Sequence, residues 1–533
     1  TTRLVLAGSA VALALQAGTS ALLILFAEET TSLFAWGSGS LSQLGLQASA
    51  HAAPVVVVAS GCALALARRL DLMGLGDDTA GVLGVPVRST RLVGTVVAVV
   101  LTAAAVTLAG PIGFVGLFAP VLARLLARVA PALHRHALLL PAAGLVGALA
   151  VVLADVVVRA LIGADEAIAV PTGVTTTIAG AACIVVLART SRDAGPTRQP
   201  PAATVPVRSR RRFAVVVLVA AAAAGATLVL ALLAGHTWLR TGDLALWLDG
   251  GGSPLVRFAL EERAPRVGAA LLAGAALALS GSLVQATCRN PLAEPGILGI
   301  TGGAGLAAVI GVTAGGTGTT TTLALAVVGA LAAFALVYAL AWRDGLHSDR
   351  LVLVGIGAWY GTTAISTYLL LRANPWDTPR IFTWLSGTTY GRSWEQVVPV
   401  AVALVVALPL AFVARRDLDL LTLDDDAPRL AGLRLERVRR TVLGLAALLA
   451  ATSVLAVGVV GFVGLVAPHA ARALVGGRHS RTLPVAVLLG AVVLGLADAI
   501  GRTAIAPGQV PAGLVVALLG APYFVVLLAR SRA

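Results

Sequence analysis

The chain has 533 residues, 58% of them hydrophobic and 12% charged, with a formal net charge of +14 and a mean hydropathy of +0.93. Soluble domains carry about 25% charged residues, so these few charges cannot cover the several globular domains that the length would otherwise allow. The composition is that of an all-α, polytopic membrane protein.

No lysine occurs, so all 39 basic residues are arginine. A P-loop needs a lysine at the β/γ-phosphates, and Schiff-base chemistry needs a lysine amine. Both are excluded, and any ATPase that drives this chain is a separate polypeptide. Cys62, Cys183 and Cys288 lie far apart in or beside apolar stretches, which indicates neither a disulfide framework nor a zinc site. His469 has no second histidine or acid at metal-ligand spacing. No catalytic residue, bound cofactor or metal is therefore expected. Arginines cluster at Arg68-Arg69, Arg88/Arg91, Arg208 to Arg212, Arg415-Arg416 and Arg434 to Arg440, each beside a long apolar run. That is the positive-inside pattern of cytoplasmic loops, and no nucleic-acid partner is expected.

A spanning helix takes about 20 apolar residues. In chain order, segments are predicted near 3–26, 52–67, 92–109, 112–129, 138–154 and 172–188. An arginine- and proline-rich stretch over 191–212 reads as a cytoplasmic linker, and ten more segments follow near 213–235, 264–284, 296–313, 320–341, 350–371, 394–413, 440–458, 460–475, 484–499 and 512–530. The two groups are copies of one unit. Gly113–Arg124 matches Gly461–Arg472 at nine of twelve positions, and the same offset of 348 pairs Trp36 with Trp384, Asp77-Asp78 with Asp425-Asp426, and Gly84 with Gly432. An offset of 343 then pairs Pro141 with Pro484, Asp155 with Asp498 and Arg159 with Arg502.

The predicted architecture is two parallel repeats of a ten-helix unit, about 16 membrane helices in all, with the first repeat incomplete. Residues 1–190 hold segments five to ten of the first half, 191–212 the linker and 213–533 the complete second half. The simplest expectation is an N-terminally truncated form of a longer protein; a naturally short first half is the alternative. Both segment counts are even, so both copies run the same way through the bilayer. Parallel repeats imply halves related by an axis along the membrane normal with a pathway between them, as in transporters.

Several polar stations punctuate these segments. Leu75-Gly-Asp77-Asp78 leads through Leu83 to Gly84, and Leu423-Asp-Asp425-Asp426 leads through Leu430 to Gly432. An aspartate at a helix start is favoured by the dipole, so a short helix is expected near Asp77 and Asp425, and exposed leucines there would form a docking surface. Asp155 and Asp498 precede Arg159 and Arg502 by four residues, the spacing of an ion pair on one helix face. That pairing weakens a proton-relay reading of the two acids. Arg263 and Arg266 fall at the outward end of their segment beside Glu261-Glu262, against the positive-inside bias. They either hold an external carboxylate bidentately or pair internally with Glu261, Glu262 or Asp498. Arg289-Asn290-Pro291, with Pro295 behind it, predicts a bent polar loop on the cytoplasmic side, since proline interrupts the helix.

In this order, with Ser280–Gln285 and Gly520-Ala-Pro522, these motifs resemble the FecCD/BtuC-type permeases of ATP-binding-cassette importers for ferric siderophores, haem and cobalamin. The resemblance covers the second copy whole and the matching part of the first. It implies a multi-pass permease of the cytoplasmic membrane that performs no bond chemistry, with a ferric siderophore as cargo. Cobalamin or haem is the alternative cargo, and a proton-coupled secondary transporter the more distant one. It implies two copies of an ATPase subunit, which use the ATP and seat on the 75–84 and 423–432 loops, and an extracytoplasmic substrate-binding protein whose glutamates meet Arg263, Arg266, Arg159 and Arg502. It gives the Arg289–Pro295 loop a structural or coupling role.

Overall fold

Each of the sixteen apolar segments is a helix in the computed structural model, which describes residues 2–26, 36–41, 45–163, 170–190, 208–291, 293–314, 318–343, 345–373 and 378–530. Alanine-, leucine- and valine-rich runs leave no alternative in lipid, where every backbone group must find its partner within the segment. Ten helices among the described residues are long and apolar enough to cross a membrane. Linker residues 191–207 lie outside the described residues.

The first copy contributes α1 (Thr2–Leu25), α2 (Gln47–Ala65), the short α3 (Ala67–Met73) and α4 (Asp77–Val82), then α5 (Val87–Ala109), α6 (Val115–Leu126), α7 (His136–Ile162) and α8 (Thr172–Thr190). The second begins with α9 (Arg210–Leu233), α10 (Thr241–Leu248), α11 (Pro254–Cys288), α12 (Ile300–Thr313) and α13 (Thr319–Ala341). It continues with α14 (Ser348–Arg372), α15 (Thr378–Leu385), α16 (Trp394–Val413), the short α17 (Arg415–Leu421) and α18 (Asp426–Leu430), then α19 (Leu435–Val457), α20 (Val463–Val475), α21 (His479–Thr503) and α22 (Ala512–Arg530).

Several segments differ from their predicted length. The helix expected over 264–284 starts ten residues earlier and runs for 35 residues, from Pro254 to Cys288. Ser253 caps it by accepting the Val256 N–H at 3.3 Å, Pro254 suits the first helical position, and Arg257, Glu261 and Glu262 ride on exposed turns. Charges ended the apolar run without ending the helix. At about 52 Å this helix exceeds the hydrocarbon thickness. Conversely, α6 and α20 begin only at Val115 and Val463, because Phe114 and Phe462 hold the same left-handed backbone, φ 68° in each. Each faces a glycine, Gly180 on α8 and Gly520 on α22.

Contacts gather residues 28–187 and 364–372 into one unit, and 1–27, 188–363 and 373–533 into another. In the first, α2 packs on α5 and α6 on α7. In the second, α11 is the buried centre, enclosed by α16, α19, α20 and α21; α12 packs on α13, and α1 on α22. Small residues let these backbones close up: a side chain at Gly281 would run into the Gly464 backbone, and one at Gly274 into that of Gly490. Buried polar groups then stitch the centre. Ser280 donates to the Ala446 carbonyl at 2.7 Å, Gln285 to that of Gly464 at 3.1 Å, and Arg472 to Gln285 Oε1 at 2.6 Å.

Candidate functional site

Two polar stations stand at opposite ends of α21. His479 is its first residue, and Asp498 lies nineteen residues on, about 28 Å at helical rise, close to one hydrocarbon thickness.

Each copy has its own acidic loop, the second copy's at the His479 end of α21 and the first copy's at the His136 end of α7. Gly76, at φ 106°, turns the chain into α4, whose first turn holds Asp77 and Asp78. Arg91 on α5 donates to Asp77 at 2.5 Å. Val82 is 88% exposed, and Leu75 and Leu83 stand out beside it; Gly84, at φ 82°, closes the turn. In the second copy the helix starts at Asp426, one residue past the expected start at Asp425. Asp424 caps it by accepting the N–H groups of Asp426 and Ala427, which frees the Asp425 carboxylate to receive Arg439 at 2.6 Å and Arg289 at 2.9 Å. Leu430 is 88% exposed, Leu423 is exposed too, and Gly432 at φ 81° repeats Gly84.

Arg289 ends α11 in a left-handed conformation, φ 50°. Its loop is thereby joined to the acidic loop, a meeting that linear spacing does not reveal. The Asn290 carbonyl accepts the Ala293 N–H at 3.0 Å, Pro291 is exposed, and Pro295 is buried at the head of a 3-10 turn, Pro295–Leu298. Glu294 accepts the Phe462 N–H at 3.2 Å and so ties the loop to the start of α20. The sequence gives Arg91 and Arg439 only a place in the positive-inside clusters, not their aspartate partners, and gives Glu294 no role. The offset of 348 that links Arg91 to Arg439 was the available signal.

Behind each acidic loop stands a histidine–aspartate contact. Asp71 on α3 accepts from His136 at the start of α7, and Asp419 on α17 from His479 at the start of α21. The backbone N–H of His136, foremost, holds the Asp71 carboxyl below its usual value, against the opposing effect of burial.

At the far end, Asp498 is 1% exposed and gathers two hydrogen-bond donors and a further ion-pair partner. Arg266 Nε reaches it at 3.0 Å, Arg502 Nε at 3.5 Å, and the Thr389 hydroxyl also donates to it. Arg266 donates further to Thr389 at 3.1 Å and to Gln509 at 2.8 Å, beside a hollow of about 290 Å³ lined by Thr388, Tyr390 and Pro507 among others. Arg502 also donates to the Ala231 carbonyl. Arg263, 8% exposed, does not join this cluster. Its guanidinium donates to the carbonyls of Leu232 at 3.2 Å, Leu233 at 3.1 Å and Thr237 at 2.7 Å, filling the open C-terminal end of α9. In the first copy, Arg159 meets Asp155 at 2.7 Å with its side chain 43% exposed. Both i,i+4 pairs expected from spacing are thus formed.

The model of the FecCD transport family matches residues 1–190 and 219–530. The chain is 35% identical over 535 residues to the iron(3+)-hydroxamate import system permease protein FhuB of Salmonella typhimurium, a match that spans 99% of this chain and 75% of that one. Against the protein of the same name from Escherichia coli, identity is 33% over 99% of this chain and 78% of the other. FhuG of Bacillus subtilis, an iron(3+)-hydroxamate import permease, is 38% identical over 51% of this chain and 83% of its own length. A solved metal-chelate type ABC transporter in an inward-facing conformation aligns with a TM-score of 0.53 at 27% identity, covering 60% of this chain and 99% of that one.

Proposed function

This chain belongs to the FecCD transport family, and from that premise we propose that it is the permease subunit of an ATP-binding-cassette importer whose cargo is a ferric siderophore. The observation that carries the reading is the match along 99% of this chain to hydroxamate permeases. The cargo arrives on an extracytoplasmic substrate-binding protein, and two copies of a separate ATPase subunit supply the energy. This chain binds no cofactor; the ATP is used by the partner.

The chain's own part is mechanical. Leu75, Val82 and Leu83 in one copy, and Leu423 and Leu430 in the other, present apolar side chains that a groove on each ATPase covers; burying such a side chain contributes about 1.5–3 kcal/mol. Asp77 and Asp425 hold these elements to α5 and α19 through Arg91 and Arg439, and Asp78 and Asp426 face the positive end of each short helix. Arg289 carries the same hold into the Arg289–Pro295 loop and hence to α11. At the outward ends of their helices, Arg266 and Arg159 present the positive charge that meets glutamates of the binding protein, while the buried Arg263 and Arg502 shape that surface by closing the end of α9 and by pairing with Asp498.

Proteoliposomes holding this chain, its ATPase and its binding protein should accumulate radiolabelled ferric hydroxamate only when ATP and the binding protein are both present. Accumulation driven by a proton gradient without ATP would overturn the reading; uptake of cobalamin or haem in place of the hydroxamate would overturn the cargo.

A further inference from the structure

One polar construction occurs twice. Asp71 accepts the backbone N–H of His136 at 2.8 Å and pairs with its ring Nδ1 at 2.5 Å. Asp419 accepts the backbone N–H of His479 at 2.8 Å and pairs with its Nδ1 at 2.7 Å. The aspartates are 348 residues apart and the histidines 343, the two offsets of the duplication. The contact has survived in both copies although much around it differs.

Its placement is specific. Asp71 sits on α3 and Asp419 on α17, the seven-residue helices that lead directly into α4 and α18. So short a helix does not hold itself together in water. His136 and His479 open α7 and α21, and a carboxylate there meets both an unpaired N–H and the positive end of the helix dipole. Two bonds from one residue, backbone and ring, fix the direction of the carboxylate where a single bond would pivot. At the other end of the same helices stand Asp155 with Arg159 and Asp498 with Arg502.

We propose that Asp71–His136 and Asp419–His479 are latches that fasten each ATPase-facing hairpin to the inner end of α7 or α21, so that movement of the hairpin is passed along that helix to the outer arginines. The four side chains are positioning residues for transport. The proposal rests on the reading of α4 and α18 as ATPase seats.

The test uses the full complex in proteoliposomes and measures ATP hydrolysis, uptake and subunit co-purification side by side. Asp71→Ala with Asp419→Ala should keep the ATPase bound and hydrolysing, while cargo moved per ATP falls by about tenfold, within the range by which positions on a coupling path alter linkage. Asp71→Asn with Asp419→Asn keeps an acceptor for the backbone N–H, and His136→Gln with His479→Gln keeps a side-chain donor; both pairs should retain most of the coupling. Unchanged cargo per ATP in the alanine pair overturns the proposal. So does a loss that merely follows loss of the assembled complex, with no rescue by the asparagine or glutamine pairs, because the contact is then only a helix cap. Leu83→Asp with Leu430→Asp separates the premises: if that variant still holds the ATPase, the seat reading fails, and if it sheds the ATPase while the alanine pair couples normally, only the latch fails.

Discussion

Arg439 Nη2 lies 2.6 Å from Asp425 Oδ1, and 348 residues earlier Arg91 makes the same bond to Asp77 at 2.5 Å. The bond is repeated, but its surroundings are not. Arg439 is 2% exposed and also donates to the Leu346 carbonyl, whereas both side chains of the Arg91–Asp77 pair are half exposed. Exposed pairs contribute about 0.2–1 kcal/mol. Stripping the partner from a buried charge costs about 3–5 kcal/mol, here toward the lower end because Glu436 stays at 3.5 Å. Thermal unfolding in detergent should therefore show Asp425→Ala clearly more destabilising than Asp77→Ala. Equal shifts would mean that Arg439 is satisfied by its carbonyl and Glu436 alone.

Charging the two exposed leucines tests the ATPase seat. Leu83→Asp with Leu430→Asp removes no internal contact of note and should leave membrane insertion and melting unchanged. Each buried unpaired carboxylate in the seat would cost several kcal/mol, so co-purification of the ATPase and ATP-driven uptake should collapse together.

The outer arginines should respond differently from one another. Arg159→Glu reverses an accessible charge and should weaken binding-protein affinity mainly through the association rate, flattening its salt dependence. Arg266→Gln should do the same, with some loss of stability because Asp498 keeps only Arg502 as counter-charge. Arg263→Gln should leave affinity largely unchanged and instead lower stability, by about 1–3 kcal/mol for carbonyls left without a donor. Binding-protein titrations at low and high salt, with melts of the same samples, distinguish the three.

Acid should act on the first-copy latch in a defined direction. In a His136→Gln background the backbone N–H, the leading cause of the shift, remains and the ring no longer titrates. A carboxyl held below its ordinary value of 3.8 stabilises the folded state fully above that value, and the gain is lost as pH falls through the lower folded value. The stability difference between Asp71 and Asp71→Asn should thus be flat from neutral pH down to mild acid and shrink only below 3.8. A difference that fades already near neutrality would show that the backbone bond is not what holds the carboxylate.

Local patterns were legible in the sequence, and long-range meetings were not. Apolar runs gave every membrane helix, and four-residue spacing gave Asp155–Arg159 and Asp498–Arg502, because both are set within a turn or a few turns of chain. The Arg266–Asp498 bond joins residues 232 apart, and the sequence offered Asp498 only as one of three internal partners; the Glu294–Phe462 bond joins residues 168 apart, and no local spacing foretells it. Arg263 and Arg266 look alike three residues apart, yet one lies on the helix face toward α9 and the other toward α21. Where a long-range contact could have been found, the duplication was the means: polar residues that recur at its offsets in both copies mark a contact before any fold is known, as Arg91–Asp77 does at 348 and Asp71–His136 does at 348 and 343.

The left-handed phenylalanines bear on how the two copies can change with time. A methyl group at Gly520 would come within 3.2 Å of the Phe462 ring, whereas at Gly180 it would overlap the Phe114 Cβ itself. A ring can swing aside; a Cβ cannot. Alanine at Gly520 therefore asks only for a small ring movement, whereas alanine at Gly180 asks the Phe114 backbone to shift or residue 114 to lose its Cβ. The first copy is thus the one in which this pair of positions is the more tightly coupled.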